Sequence, residues 1–166
     1  MEHGKTFWMT GLSGSGKSTL AEKVKQEDKN IIVLDGDIIR KGLCSDLGFS
    51  KEDRIENNRR LIELCKLFNS NGLKVITAFI SPYKSIRERA KAHIKDCKIV
   101  YIKSSILECQ KRDPKGLYEK VLKGEIKNFT GITSAFDVPE NADITIDTEN
   151  NSIEHCTTRL MELIKC

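Results

Sequence analysis

The chain has 166 residues, enough for one domain whose hydrophobic core needs no metal or disulfide for stability. Hydrophobic residues make up 39% and charged residues 31%, which excludes a disordered chain, and no apolar run approaches the roughly 20 residues of a membrane span. The net charge of +4 is mild and aromatic residues are only 6%, so we expect no nucleic-acid partner and a small anionic ligand instead.

Short apolar runs alternate with helical patterns along the chain, which predicts a parallel sheet covered by helices. The runs are nearly continuous, as is typical of strands buried on both faces. The predicted strands are Thr6–Thr10, Ile31–Leu34, Lys74–Ile80, Lys98–Ile102 and Ile144–Ile146. The predicted helices are about 18–25, Lys51–Asn69 and Ser152–Ile164. We therefore expect an α/β fold, a three-layer α/β/α sandwich with a parallel sheet of about five strands in a single domain, 1–166.

Residues 112–139 depart from this regular pattern, because they are rich in Gly, Pro and Lys and weakly periodic. A long, poorly patterned segment in a compact domain is typical of a lid. Arg112 and Lys115 would bring cations over bound phosphates when such a lid closes.

The cysteines and the N-terminus bear on the cellular compartment. The six cysteines contain no C-x-x-C pair and no zinc spacing, which favours reduced structural thiols over a redox or metal role. Residues 1–5 contain no apolar signal region, so we expect a cytoplasmic protein without a membrane partner.

The segment Gly11–Ser18, GLSGSGKS, matches G-x-x-x-x-G-K-[ST] between a predicted strand and a predicted helix. Glycines let the backbone turn its amides toward phosphate oxygens at the positive end of the helix. Lys17 would contact the β- and γ-phosphates, and the Ser18 hydroxyl would bind Mg²⁺. The alternative is a glycine-rich turn without a ligand. The predicted ATP-binding residues are Gly11, Ser13, Gly14, Ser15, Gly16, Lys17, Ser18, Thr19 and Arg112.

A phosphate site does not by itself define a reaction. The chain lacks the N-K-x-D motif of GTPases, and its length leaves little room for the sensor region of a motor ATPase. We therefore expect a small-molecule kinase of the P-loop class. The competing interpretation is a nucleotide-binding regulator without an acceptor.

Candidate acceptor residues follow the second and third strands. Asp35-Gly36-Asp37 ends the second strand, where carboxylates could orient an attacking hydroxyl or merely cap the next helix. Arg40 lies one helical turn after Asp37 and would face the same cleft. Ser81 ends the third strand, either as a site residue or as a simple strand stop.

The long third helix adds further candidates. Arg54 and Asn57 are three residues apart and share one face near its start. Phe49, which precedes it, could stack on a base or staple the helix start.

Several blocks together resemble the adenylyl-sulfate kinase family, in that family's order and over nearly the whole chain. They are GLSGSGKST (11–19), DGDIIR (35–40), DLGFSKEDRIENNRR (46–60), FISPY (79–83), RDPKGLY (112–118) and FTGI (129–132). The resemblance implies ATP with Mg²⁺, transfer to the 3′-hydroxyl of adenylyl sulfate, and a homodimer.

The resemblance also implies residue roles. Asp37 would lie near the acceptor hydroxyl, Lys115 near the transferring phosphate, and Phe49 and Phe129 on either side of the acceptor base. The position of Ser81 is often described in the family as a phosphoserine site. The implied catalytic residues are Lys17, Asp37, Ser81 and Lys115. The implied acceptor-binding residues are Asp37, Arg40, Phe49, Arg54, Asn57, Ile80, Ser81, Lys115, Leu117 and Phe129.

The departures from the family pattern lie on the acceptor side. Ile38, Lys41 and Cys44 replace an Asn, a His and an Asn, and 135–137 read AFD where the family tends to have PYE. The alternative acceptor is therefore another nucleotide, such as the cytidine diphosphoramidate used in capsule modification.

Overall fold

The computed structural model describes residues 3–166, so Met1 and Glu2 of the predicted domain lie outside it. It contains a five-stranded parallel sheet in the order β2-β3-β1-β4-β5 with helices on both faces, which confirms the predicted fold class. The strands are β1 Thr6–Thr10, β2 Ile31–Asp35, β3 Lys74–Ala78, β4 Cys97–Lys103 and β5 Ile144–Asp147. The helices are α1 Lys17–Glu27, α2 Gly36–Lys41, α3 Lys51–Ser70, α4 Lys84–His93, α5 Ile106–Arg112, α6 Leu117–Leu122 and α7 Ile153–Lys165.

The central strand β1 separates two hydrophobic cores, because successive side chains of a strand point to opposite faces. Phe7 and Met9 pack with residues of α1 and α7 on one face. Trp8 packs with residues of α3 and α4 on the other face. All three side chains are fully buried, and burial of Phe7 and of Met9 each stabilises the fold by roughly 1.5–3 kcal/mol.

The strand order places the P-loop at the switch point of the sheet. β1 lies between β3 and β4, and the chain crosses from one side of β1 to the other between them. Ligands bind beyond the carboxyl ends of the strands at such a point. The ends of β2, β3 and β5 therefore bring Asp35, Ser81 and Thr148 to the edge occupied by the P-loop.

The structure corrects some predicted boundaries. β3 ends at Ala78 instead of Ile80, because the Ile80 carbonyl leaves the sheet to accept hydrogen bonds from the Gly11 amide and the Thr10 hydroxyl. Three helices, α4, α5 and α6, were not predicted, and α2 was expected only as the helix that follows Asp35-Gly36-Asp37. Helix α6 lies within the predicted lid. Each of these helices has ten residues or fewer, so its periodicity is weak. No helix among residues 3–166 is long and apolar enough to cross a membrane.

Candidate active site

The P-loop connects β1 to α1 through two glycines in left-handed conformations. Gly14 has φ 79° and Gly16 has φ 99°, which residues with a β-carbon rarely adopt. A β-carbon on Gly14 would also lie 3.1 Å from the carbonyl oxygen of Cys109. The glycine spacing of the motif is thus required by backbone conformation at both positions and by close packing at Gly14.

Lys17 begins α1 and folds its side chain back over the P-loop. Its ammonium group donates hydrogen bonds to the carbonyls of Gly11 (2.9 Å) and Leu12 (2.6 Å) and to the Ser15 hydroxyl (3.3 Å). Burial lowers the pKa of Lys17 to about 8. The nearby Lys115 lowers this pKa further, while Cys109, Asp35 and Asp37 raise it. Anionic phosphate oxygens near this ammonium would favour its charged form.

Ser18 and Asp35 form an oxygen-rich pair beside the P-loop. The Ser18 hydroxyl donates a 2.6 Å hydrogen bond to the Asp35 carboxylate, so the end of β2 lies against the start of α1. Mg²⁺ prefers oxygen ligands and is usually held by one or two protein groups together with substrate phosphates. The donor set therefore fits Mg²⁺, and no cluster of three or more His, Cys, Asp or Glu within 3–166 offers a different metal site.

The predicted lid contacts the site at its beginning. Lys115 pairs with the carboxylate of Asp37, which lies in α2 directly after β2. Tyr118 on α6 donates a 2.8 Å hydrogen bond to the Ser13 carbonyl of the P-loop. Asp113 accepts hydrogen bonds from three amides at the start of α6 and caps that helix. The structure thus brings the lid cation, the candidate proton acceptor and the P-loop together.

Arg112 approaches the P-loop through an intermediate residue. Its guanidinium donates to the Thr148 hydroxyl (3.2 Å) and carbonyl (2.7 Å) and pairs with Glu108 on α5. The Thr148 hydroxyl in turn donates to the Ser15 carbonyl at 2.7 Å. Arg112 therefore lies near the predicted ATP site, and Thr148 lies between it and the P-loop.

Arg40, Phe49 and Arg54 form a stacked group between α2 and α3. The guanidinium carbons of Arg40 and Arg54 lie 4.3 and 5.7 Å from the centre of the Phe49 ring. Arg54 also donates to the carbonyl of Asn128 (2.6 Å), beside Phe129. Phe129 is buried and packs edge-to-face on Tyr118, whereas Phe49 is 57% exposed. Arg54 thus links the two predicted base-stacking segments.

Asn57 carries a polar atom for which the fold provides no partner. Its side chain is 2% exposed, and its amide oxygen has no hydrogen-bond partner among residues 3–166. Buried polar atoms are usually satisfied, and exceptions are often found at binding sites. Five other buried side chains of the described chain also carry an unpaired oxygen, so this feature fits a binding role for Asn57 but is not specific to it.

Ser81 lies in a constrained backbone conformation after β3. It has φ 44° and is 2% exposed, and its hydroxyl accepts a 2.9 Å hydrogen bond from the Trp8 indole. Its carbonyl accepts from the Thr10 hydroxyl and from Arg87. The hydroxyl therefore points into the core, while the adjacent backbone borders the P-loop.

Two residues near the P-loop, Thr148 and Tyr118, were absent from the predicted site. Asp35 was predicted only as part of the DGD segment at the end of the second strand. Thr148 also directly follows a strand, β5, which could have indicated it. The Tyr118 contact depends on the fold of the lid, for which the sequence offered no comparable signal.

Comparisons with known proteins agree over nearly the whole chain. Residues 3–147 match the family described as Adenylylsulphate kinase. An adenylyl-sulfate kinase of Clostridium kluyveri is 44% identical over 99% of this chain and 85% of its own length. One of Staphylococcus epidermidis is 50% identical over 96% of this chain and 83% of its own length. The structure of the Mycobacterium tuberculosis APS kinase in complex with AMPPNP and APS is similar with a TM-score of 0.94, at 40% identity and 100% coverage of both chains.

Proposed function

Because the chain belongs to the adenylyl-sulfate kinase family, we propose that it transfers the γ-phosphate of ATP to the 3′-hydroxyl of adenylyl sulfate. The product would be 3′-phosphoadenylyl sulfate. The observation that carries the proposal is the contact of Lys115 with Asp37 beside the P-loop, because it joins a lid cation to a carboxylate at the phosphate site. A regulator without an acceptor has no use for such a pair.

On the donor side, the P-loop amides and Lys17 would bind the phosphates of ATP, with Arg112 near the nucleotide. Ser18 and Asp35 would hold Mg²⁺ together with phosphate oxygens, and the ion would neutralise part of the negative charge. Phosphoryl transfer depends mainly on positioning and on electrostatic stabilisation. Lys17 and Lys115 are the cations of this chain that would supply that stabilisation.

On the acceptor side, Asp37 would position the 3′-hydroxyl and accept its proton. Phe49 and Phe129 would hold the base, while Arg40, Arg54 and Asn57 would bind the rest of the acceptor nucleotide. Ile80 and Leu117 would complete the pocket. The Arg40–Phe49–Arg54 stack supports these roles, because it places two cations beside an exposed aromatic ring.

Ser81 would contribute to the acceptor site through its backbone. Its hydroxyl is buried and accepts the Trp8 hydrogen bond, which favours direct transfer from ATP over a phosphoserine intermediate. This assignment predicts that Ser81→Ala retains substantial activity.

An ATP-to-ADP coupled assay with Mg²⁺ tests the function. We expect turnover that depends on adenylyl sulfate and is absent with a cytidine diphosphate acceptor tested in parallel. Turnover only with the cytidine acceptor would support the alternative and would connect it to Ile38 and Cys44. Slow ATP hydrolysis that neither acceptor stimulates would support the regulator.

We also propose a cytoplasmic homodimer that binds neither nucleic acid nor membrane. All six cysteines are free thiols and five are buried, as suits a reducing compartment. Light scattering at assay concentration should give twice the 18.8 kDa mass of the chain. A single-chain mass, or a mass of more than two chains, would contradict the dimer.

A further inference from the structure

Two peptide units of the P-loop are held from outside by hydroxyl groups of other segments. Tyr118 on α6 donates to the carbonyl of Ser13 at 2.8 Å, and Thr148 after β5 donates to the carbonyl of Ser15 at 2.7 Å. Neither hydroxyl belongs to the P-loop motif. The phosphate-binding turn is therefore supported by the lid on one side and by the β5 end on the other.

These contacts set the direction of the amides that follow each carbonyl. A trans peptide is planar, so its carbonyl and its N–H point in opposite directions. The described chain contains no cis peptide, so fixing the Ser13 and Ser15 carbonyls outward turns the Gly14 and Gly16 amides inward. Neither amide donates a hydrogen bond to another group within 3–166, which leaves both to bind an anion.

Thr148 is itself firmly held. Its amide donates to the Lys103 carbonyl at 3.0 Å, and Arg112 donates to both its hydroxyl and its carbonyl. Its methyl group would lie 3.7 Å from a β-carbon on Gly16. The Thr148 side chain therefore covers the turn and connects it to the end of α5.

We propose that Thr148, with Tyr118 as its counterpart, is a positioning residue that aims the P-loop amides at the phosphates of ATP. Arg112 contributes to the orientation of the P-loop amides partly by holding Thr148 in place. The inference rests on the proposed function, since it presupposes that ATP binds at the P-loop. The Thr148 and Tyr118 hydroxyls thus have a role in the binding of ATP and none in the binding of adenylyl sulfate.

The test compares Thr148→Val, which removes the hydroxyl and keeps the shape, with Thr148→Ser, which keeps the hydroxyl. Thr158→Val is the matched control, because the Thr158 hydroxyl bonds only to the Glu154 carbonyl on the exposed side of α7. We expect Thr148→Val to raise the Kd of a non-hydrolysable ATP analogue and the KM of ATP about five- to tenfold, the effect of losing one hydrogen bond. The KM of adenylyl sulfate should stay unchanged, and Thr148→Ser should bind like the unmodified protein.

Tyr118→Phe provides the second variant if Thr148→Val fails to fold, and it should shift the same two constants in the same direction. Analogue binding within twofold of the unmodified protein in both variants would overturn the inference. An equal rise in the KM of adenylyl sulfate would also overturn it, because it would indicate general damage to the site. If the unmodified protein does not bind the analogue, the proposed function itself is contradicted. If it binds the analogue and both variants bind equally well, only this inference is contradicted.

Discussion

At the scale of single residues, Lys17 shows how the fold changes the pKa of a side chain. Its ammonium group lies among P-loop carbonyls, and burial there lowers its pKa to about 8. Bound phosphates would favour the charged form, because opposite charge offsets the cost of burial. The protonation state of Lys17 in the free protein should therefore control ATP affinity.

The first prediction concerns the pH dependence of ATP binding. A lowered pKa means that the free protein loses the Lys17 proton as pH rises through about 8, so kcat/KM for ATP should fall above that pH. Lys17→Arg keeps its charge throughout this range, because arginine has a pKa above about 12. Its Kd for an ATP analogue should stay flat from pH 7 to 9, as measured by calorimetry. The same decline in Lys17→Arg would assign the titration to another group.

The second prediction concerns Asp37. Asp37→Asn keeps the size of the side chain but removes the proton acceptor and the charge that pairs with Lys115. We expect kcat to fall by about 10²–10⁴, the usual contribution of a general base, with little change in the Kd of ATP. Single-turnover kinetics with saturating ATP would measure this loss. An unchanged kcat would show that Asp37 has no catalytic role and is only a residue of the first turn of α2.

Short-range rules determine the P-loop part of this site, so the sequence alone predicts it. The glycines of the P-loop, Lys17 and Ser18 follow from the geometry of phosphate binding. The contacts of Arg54 with Asn128 and of Tyr118 with Ser13 join residues 74 and 105 positions apart. No local pattern encodes such contacts, so they could not be predicted without the fold.

At the scale of elements, the lid is a mixture of short helices and irregular chain. α6 is capped by Asp113 and preceded by Gly116, which has φ 62°. Its buried face contributes Tyr118 and Val121 to a small cluster with Cys109 and Phe129, separate from the two large cores. We expect a segment attached by so small a cluster to move while the sheet stays intact, as a lid requires. The Gly, Pro and Lys content predicted an irregular segment here, but it did not predict the six-residue helix α6.

The third prediction concerns the Asp113 cap. Asp113→Ala removes the acceptor of three α6 amides and should weaken the helix by about 1 kcal/mol. Hydrogen exchange should become faster at Leu117–Leu122, and the KM of ATP should rise because Tyr118 is less firmly held. Ser152→Ala is the matched control, since it removes the side-chain cap of a different helix, α7. Unchanged exchange in α6 would show that the cluster alone holds the helix.

At the scale of the whole molecule, the strand order converts five separate segments into one site. β1 carries the P-loop, while the ends of β2, β3 and β5 supply Asp35, Ser81 and Thr148 from both sides. Apolar patterning predicted all five strands, because strands buried on both faces need nearly continuous apolar residues. The order of the strands and the lid contacts depend on long-range packing. The sequence therefore indicated the five strands more fully than their order in the sheet.

Phosphorus NMR after incubation with ATP, Mg²⁺ and adenylyl sulfate identifies the product of the reaction. We expect a new phosphate monoester on the 3′-oxygen, with the sulfate group retained and one ADP formed per product. Lys17→Ala should form the product at least about a hundredfold more slowly, because it lacks a charge-stabilising donor. Formation of ADP and inorganic phosphate with unchanged adenylyl sulfate would show that the protein does not transfer phosphate to this acceptor.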